Sequence, residues 1–288
     1  MSDIAATPQT GGRRYRALRT GVVLSLLLLL VGFVSIVWTP YPIDAINVGA
    51  ALQEPGAAHW LGTDHLGRDL LSLLMKGTLT SFIVAAIAVA FGAAIGIPLG
   101  LLAAHWGGLA DQAVLRATGF LFVFPALVTA VLLATVAGPS EVVVMAAVGL
   151  VNVPVFARVA RGAWLERKAV DYAAAARLAG LGGWDIVVVH LLPGLVAVLL
   201  AQATVQLGVG VLAEATLSYV GLGALPPTAS LGLMLKDAQS YALLKPALML
   251  LPGAMIVLIV VSVGLAADGI RGMLERRSGA NGADRGAA

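Results

Sequence analysis

Six long apolar stretches, each ended by a short polar or turn-forming segment, follow one another along the chain. They cover about residues 18–38, 78–104, 113–137, 142–159, 194–220 and 246–267. A helix needs roughly 20 apolar residues to cross a bilayer, so this pattern predicts an all-α polytopic membrane protein with six transmembrane helices. Gly92, Gly96 and Gly100 recur every four residues in the second stretch. That spacing puts them on one face, where small residues let two membrane helices approach closely. Pro125 interrupts the third stretch, and Asn152 and Pro154 lie inside the fourth. The first stretch exceeds the roughly 7–15 apolar residues of a signal-peptide core. Trp38-Thr39-Pro40 is also a poor cleavage site, so an uncleaved first helix is expected.

Composition agrees with the pattern. The 288 residues are 59% hydrophobic and 11% charged, with a mean hydropathy of +0.95, against about 25% charged residues in soluble domains. The chain has no cysteine, which excludes disulfides and thiolate metal sites. The net charge of +3 matters less than its placement. Six spans put both termini on one side. The segments on that side hold fourteen of the eighteen Lys and Arg residues, all but Arg68, Lys76, Lys236 and Lys245. The excess of basic residues marks the cytoplasmic side, so both termini are expected there. Residues 1–17 are polar and basic, and the tail after residue 268 is charged, then glycine-rich, and expected to be disordered.

Polar groups that interrupt this apolar background are the candidates for function. Glu214 lies within the fifth stretch, where a carboxylate costs several kcal/mol unless it faces a cavity or a partner. It is expected either to face the translocation pathway or a partner near an outer gate, or to reach interfacial water or a backbone donor. Gln202 and Gln206 precede it on one helix face, as pathway lining or as hydrogen-bonding glue between helices. His59, Asp64, His65 and Asp69 cluster in the first outer segment, but their spacing fits no strong metal pattern, so no metal site is expected. The chain contains no GxxxxGK[ST] loop, no Gly-x-Ser-x-Gly elbow and no HExxH. An energy source therefore has to lie elsewhere, and the chain itself is not expected to be an enzyme.

The longest polar interruption, 170–193, reads VDYAAAARLAGLGGWDIVVVHLLP. It carries a run of small residues at 173–176, a helix-ending glycine at Gly180 and a turn at Gly182-Gly183. This segment resembles the cytoplasmic coupling loop of ABC-transporter permeases. Ala175, Ala176, Gly180, Leu192 and Pro193 stand at the positions of that family's signature. Ala174 stands where the family has an acid, and Asp171 lies one helical turn earlier. Two further strings, HWLGTDHLGRD from His59 and EATLSYVGLG from Glu214, resemble the dipeptide, oligopeptide and nickel permeases of the same class.

The resemblance implies a type I ABC importer permease fold in the membrane of a prokaryotic cell. It divides the chain into a tail at 1–17, a first helix and outer loop at 18–76, a core permease unit at 77–270 with its coupling loop at 161–193, and a tail at 271–288. It implies coupling to an ATPase through Asp171, Ala174, Ala175, Ala176, Arg177, Leu178, Gly180, Leu181 and Pro193. It also implies a second homologous permease and an extracytoplasmic solute-binding protein. Two ATPase subunits would carry the ATP and magnesium, with no cofactor in this chain and no nucleic-acid partner. Peptides are the expected solute, with nickel or another small solute as the alternative. An ion-coupled secondary transporter would need its own ion site, and an intramembrane enzyme would need paired catalytic groups.

Overall fold

The computed structural model of the chain describes residues 11–168 and 192–283. Its helices are α1 (Gly11–Val37), α2 (Leu70–Trp106), α3 (Gly108–Val123), α4 (Ala126–Ala137), α5 (Glu141–Lys168), α6 (Leu192–Val220), α7 (Leu231–Ala238) and α8 (Ala247–Ala283). Single 3-10 turns occupy Val48–Ala50 and Gln239–Tyr241. Among the described residues there is no strand, only an isolated bridge between Thr63 and Asp69. Five helices are long and apolar enough to cross a membrane, and a sixth span results if the bent pair α3 and α4 is one crossing.

Packing order follows from where glycine removes a side chain. A methyl group at Gly92 would strike Asn152; one at Gly96 would meet the Val153 carbonyl, and one at Gly100 the Ala157 carbonyl. Residue numbers rise together along both helices, so α2 and α5 run parallel, with their backbones in near contact. The face marked by the four-residue glycine spacing is therefore the seam with α5. Parallel α2 and α5 require α3 and α4 together to return the chain, which makes them one broken crossing. Gly21 lies against Ser262 and Ala266, and Gly269 against Leu18, so α1 and α8 are antiparallel. Gly210 lies against Ala85. A core of Leu28, Leu73, Phe82, Val211, Leu231, Ile259 and their neighbours joins α1, α2, α6, α7 and α8.

Several element ends differ from the hydropathy pattern, each for a local reason. Helix α2 starts at Leu70 rather than near residue 78, because the Asp69 carboxylate caps it by accepting the Ser72 N–H. Leu70, Leu73 and Leu74 of that added stretch are buried. Helix α5 continues past residue 159 to Lys168, where Trp164 packs with Ala104 and Leu195. The expected polar loop at 105–111 shrinks to a turn at Gly107 and Gly108, with φ of 66° and 54°. The tail expected to be disordered from residue 268 continues α8 to Ala283, with Gly269 seated on α1. The polar segment at 221–245 contains a helix, α7, capped by the Ser230 hydroxyl.

The third apolar stretch is two helices bent by 81°. Proline at 125 lacks an N–H and clashes with a preceding helical turn, and here it sits as the N-cap residue of α4. Phe124 before it takes an extended backbone, as a residue preceding proline prefers.

Candidate functional site

Two clusters of polar groups organise the end of the bundle that carries residues 38–69 and 221–246. The first surrounds Glu214, which is 2% exposed. Ser81 of α2 donates its hydroxyl to one carboxylate oxygen and Ser218 to the other, each at 2.7 Å. Ser230 stands beside the same carboxylate while its own oxygen accepts the Leu233 N–H that begins α7. A carboxylate in an apolar interior is tolerated when hydrogen-bond donors replace its water. Here the donors come from two spanning helices, with the cap of α7 beside them. Glu214 is thus enclosed by its own chain. Among the described residues its hydrogen-bond donors are serine hydroxyls. Ser218 was within sight of the sequence as the residue one turn after Glu214; Ser81 is 133 positions away and was not.

The second cluster ties the segments 38–69 and 221–246 together. Asp64 accepts from Arg68 Nε at 2.7 Å and from the backbone N–H groups of Leu66 and Arg68 at 2.8 Å. Arg68 Nη2 extends to Asp237 of α7 at 3.4 Å. His59 Nδ1 lies 2.9 Å from Asp69, and His65 stacks on Tyr241. Lys245 Nζ donates to the carbonyl oxygens of Leu52 and Gln53. The histidine–aspartate string is accordingly the frame of a tightly tied loop, with its carboxylates engaged by Arg68, His59 and Ser72.

Deeper in the bundle, Gln206 Nε2 donates to Asn152 Oδ1, and Asn152 Nδ2 donates to the Val148 carbonyl at 3.0 Å. Gln206 thus links α6 to α5. Gln202, one turn earlier on α6, is partly exposed. Asp171, Ala174, Ala175, Ala176, Arg177, Leu178, Gly180 and Leu181 lie outside the described residues; Pro193 lies in the first turn of α6. At this end of the bundle Asp111 and Arg161 form a two-pronged pair, with Nε and Nη2 at 2.5 and 2.6 Å from the two carboxylate oxygens. No sequence motif pointed to this pair.

Comparison with known proteins identifies the class. Residues 96–279 match the family described as binding-protein-dependent transport system inner membrane component. The glutathione transport system permease protein GsiD of Pectobacterium atrosepticum is 35% identical over 268 residues, covering 91% of this chain and 87% of that protein. The probable D,D-dipeptide transport system permease protein DdpC of Escherichia coli K12 is 36% identical, covering 90% and 87%. The dipeptide transport system permease protein DppC of Alkalihalophilus pseudofirmus is 31% identical, covering 88% and 84%. A chain of the MetNI methionine ABC transporter in an inward-facing conformation superposes with a TM-score of 0.57 at 22% identity, covering 70% of this chain and 96% of that one. The chain therefore belongs to the binding-protein-dependent transport system inner membrane components, the permease subunits of ABC importers. Membership sets aside both the ion-coupled transporter and the intramembrane enzyme.

Proposed function

We propose that this permease subunit forms half of a pathway for short peptides, delivered from outside by a solute-binding protein and moved by ATP hydrolysed on partner ATPases. The observation that carries the peptide assignment is that three relatives matched over about nine-tenths of the chain are named for glutathione, D,D-dipeptide and dipeptide transport. The test is uptake of labelled di- and tripeptides by proteoliposomes holding the whole importer with its binding protein. Peptide uptake driven by ATP is expected; ATP-driven uptake of nickel but of no peptide would overturn the assignment.

The segment at 170–193 is the ATPase dock in this reading. It is supported by its signature residues and by its position between α5 and α6, at the end of the bundle opposite the segments 38–69 and 221–246. Ala176→Glu would place an unpaired charge on a close contact, and Gly180→Val would overpack it, which costs typically ~1–3 kcal/mol. Both variants are expected to insert normally yet to lose copurifying ATPases, whereas Gly279→Val in the tail is expected to be silent. Normal association in both would remove the dock.

The same reading places both termini and this segment in the cytoplasm, on the fourteen-to-four basic asymmetry. A cysteine at fully exposed Leu243 is expected to react with an impermeant reagent added outside, and one at Gly183 is not. The reverse pattern would invert the topology. Ser72 is unsuited to this assay because it is buried against Asp69. For the pathway, Gln202 is the lining candidate. Glu214 and Gln206 hold the helices behind it, Glu214 as the support of the outer gate.

A further inference from the structure

Helices α3 and α4 are attached to the rest of the bundle unlike any other crossing. The chain enters α3 through Gly107 and Gly108, both at positive φ, with no atoms within 4 Å of where a side chain would stand. It leaves α3 at the extended Phe124 and bends by 81° into α4. Much of the pair is uncovered: Phe120 is 65% exposed and Val136 89%. Helix α4 is anchored all the same, by Ala130 and Leu133 packed with Val84 and Ala88 of α2 and Val144 and Ala147 of α5. Two joints therefore bracket one helix with little apolar anchorage, α3.

What anchors α3 is a pair of arginines one turn apart on α5. Arg161 holds the Asp111 carboxylate through Nε and Nη2, in the side-on geometry that fixes orientation as well as distance. The Arg158 guanidinium lies 5.0 Å from the centroid of the Phe122 ring, a favourable cation–π contact. Helix α5 itself cannot shift independently of α2, because their backbones meet at Gly92, Gly96 and Gly100. Seven residues beyond Arg161, α5 ends at Lys168, where the segment containing the docking signature begins.

We infer that Asp111 and Arg161 are positioning residues for transport: a latch through which movement of α5 is passed to α3, the half of the bent crossing that the core does not hold. The inference rests on the reading of 170–193 as the ATPase dock. A rigid helix displaced at its end carries with it whatever is bound to it, while an arm on two free joints follows only where it is latched. Breaking the latch leaves the importer assembled and hydrolysing ATP, with α3 no longer driven.

The test uses the complete importer in proteoliposomes and reads ATPase copurification, ATP hydrolysis and solute uptake together. Asp111→Asn and Arg161→Gln are each expected to keep the ATPases bound and to lower uptake per ATP hydrolysed about ten-fold. The exchanged pair, Asp111→Arg with Arg161→Asp, is expected to recover most of that ratio, since the ion pair is restored in reverse. A merely structural pair would reduce the amount of assembled complex and leave the ratio of uptake to hydrolysis unchanged. Two results overturn the latch: single variants with the wild-type ratio, or an exchanged pair that assembles but is no better than the worse single variant. Failure of the docking assignment is separately visible, because Ala176→Glu would then retain its ATPases while the Asp111 and Arg161 variants still report on their own contact.

Discussion

The seam between α2 and α5 and the arm formed by α3 and α4 are neighbours with opposite construction. The seam is closed by glycines whose missing side chains admit the partner backbone at Asn152, Val153 and Ala157, and residues such as Val144, Val153, Phe156 and Ala160 along α5 are fully or nearly fully buried. The arm is apolar too, yet much of it is uncovered: α4 is held at Ala130 and Leu133, and α3 by contacts of Asp111 and Phe122 with two arginines of α5. Apolar composition alone therefore does not distinguish a fixed element from a movable one. In a bilayer, where lipid tails solvate leucine and valine as well as another helix does, close packing comes from small residues and satisfied polar groups.

That contrast predicts a gradient of mutational effects. The largest is at the seam: Gly100→Val drives a branched side chain into the Ala157 backbone and is expected to abolish accumulation of folded protein, measured by detergent-extracted yield and gel filtration. A folded, normally accumulating Gly100→Val variant would break the comparison. The next is Glu214→Leu, which leaves the Ser81 hydroxyl without its acceptor. An unsatisfied buried group costs about 1–3 kcal/mol, so the thermal midpoint is expected to fall clearly in Glu214→Leu and less in Glu214→Gln, which keeps an acceptor and gains a donor. Equal midpoints in the two would remove the hydroxyl cluster as a source of stability. The smallest effect is on the arm: Val136→Ala, at a position 89% exposed, is expected to shift the midpoint negligibly. A loss there as large as at Glu214 would show that the arm is packed after all.

Charges at the end of the bundle that carries residues 38–69 and 221–246 behave differently. Asp64, Arg68 and Asp237 join two segments far apart in sequence, and Lys245 ties the same segments through two carbonyls. Each of these residues was visible in the sequence as a charge, but none announced its partner. The histidines, aspartates and glycines of the string at 59–69 are what a tightly hydrogen-bonded loop requires, and the structure adds Ser72 and Asp237 as partners.

The sequence by itself determined the class of architecture and the family. Hydropathy is a local property, and a segment of about 20 apolar residues has one low-energy conformation in a bilayer, because every backbone group must be satisfied within the segment. The glycine spacing marked the packing face of α2 for the same local reason, and the strings at 59–69, 175–193 and 214–223 carried the family resemblance. Tertiary structure alone decided the partners: that Ser81 reaches Glu214, that Gln206 meets Asn152, and that Arg161 holds Asp111. These depend on distances between residues dozens to more than a hundred positions apart, and side-chain chemistry names what a group can bind without fixing which group arrives beside it.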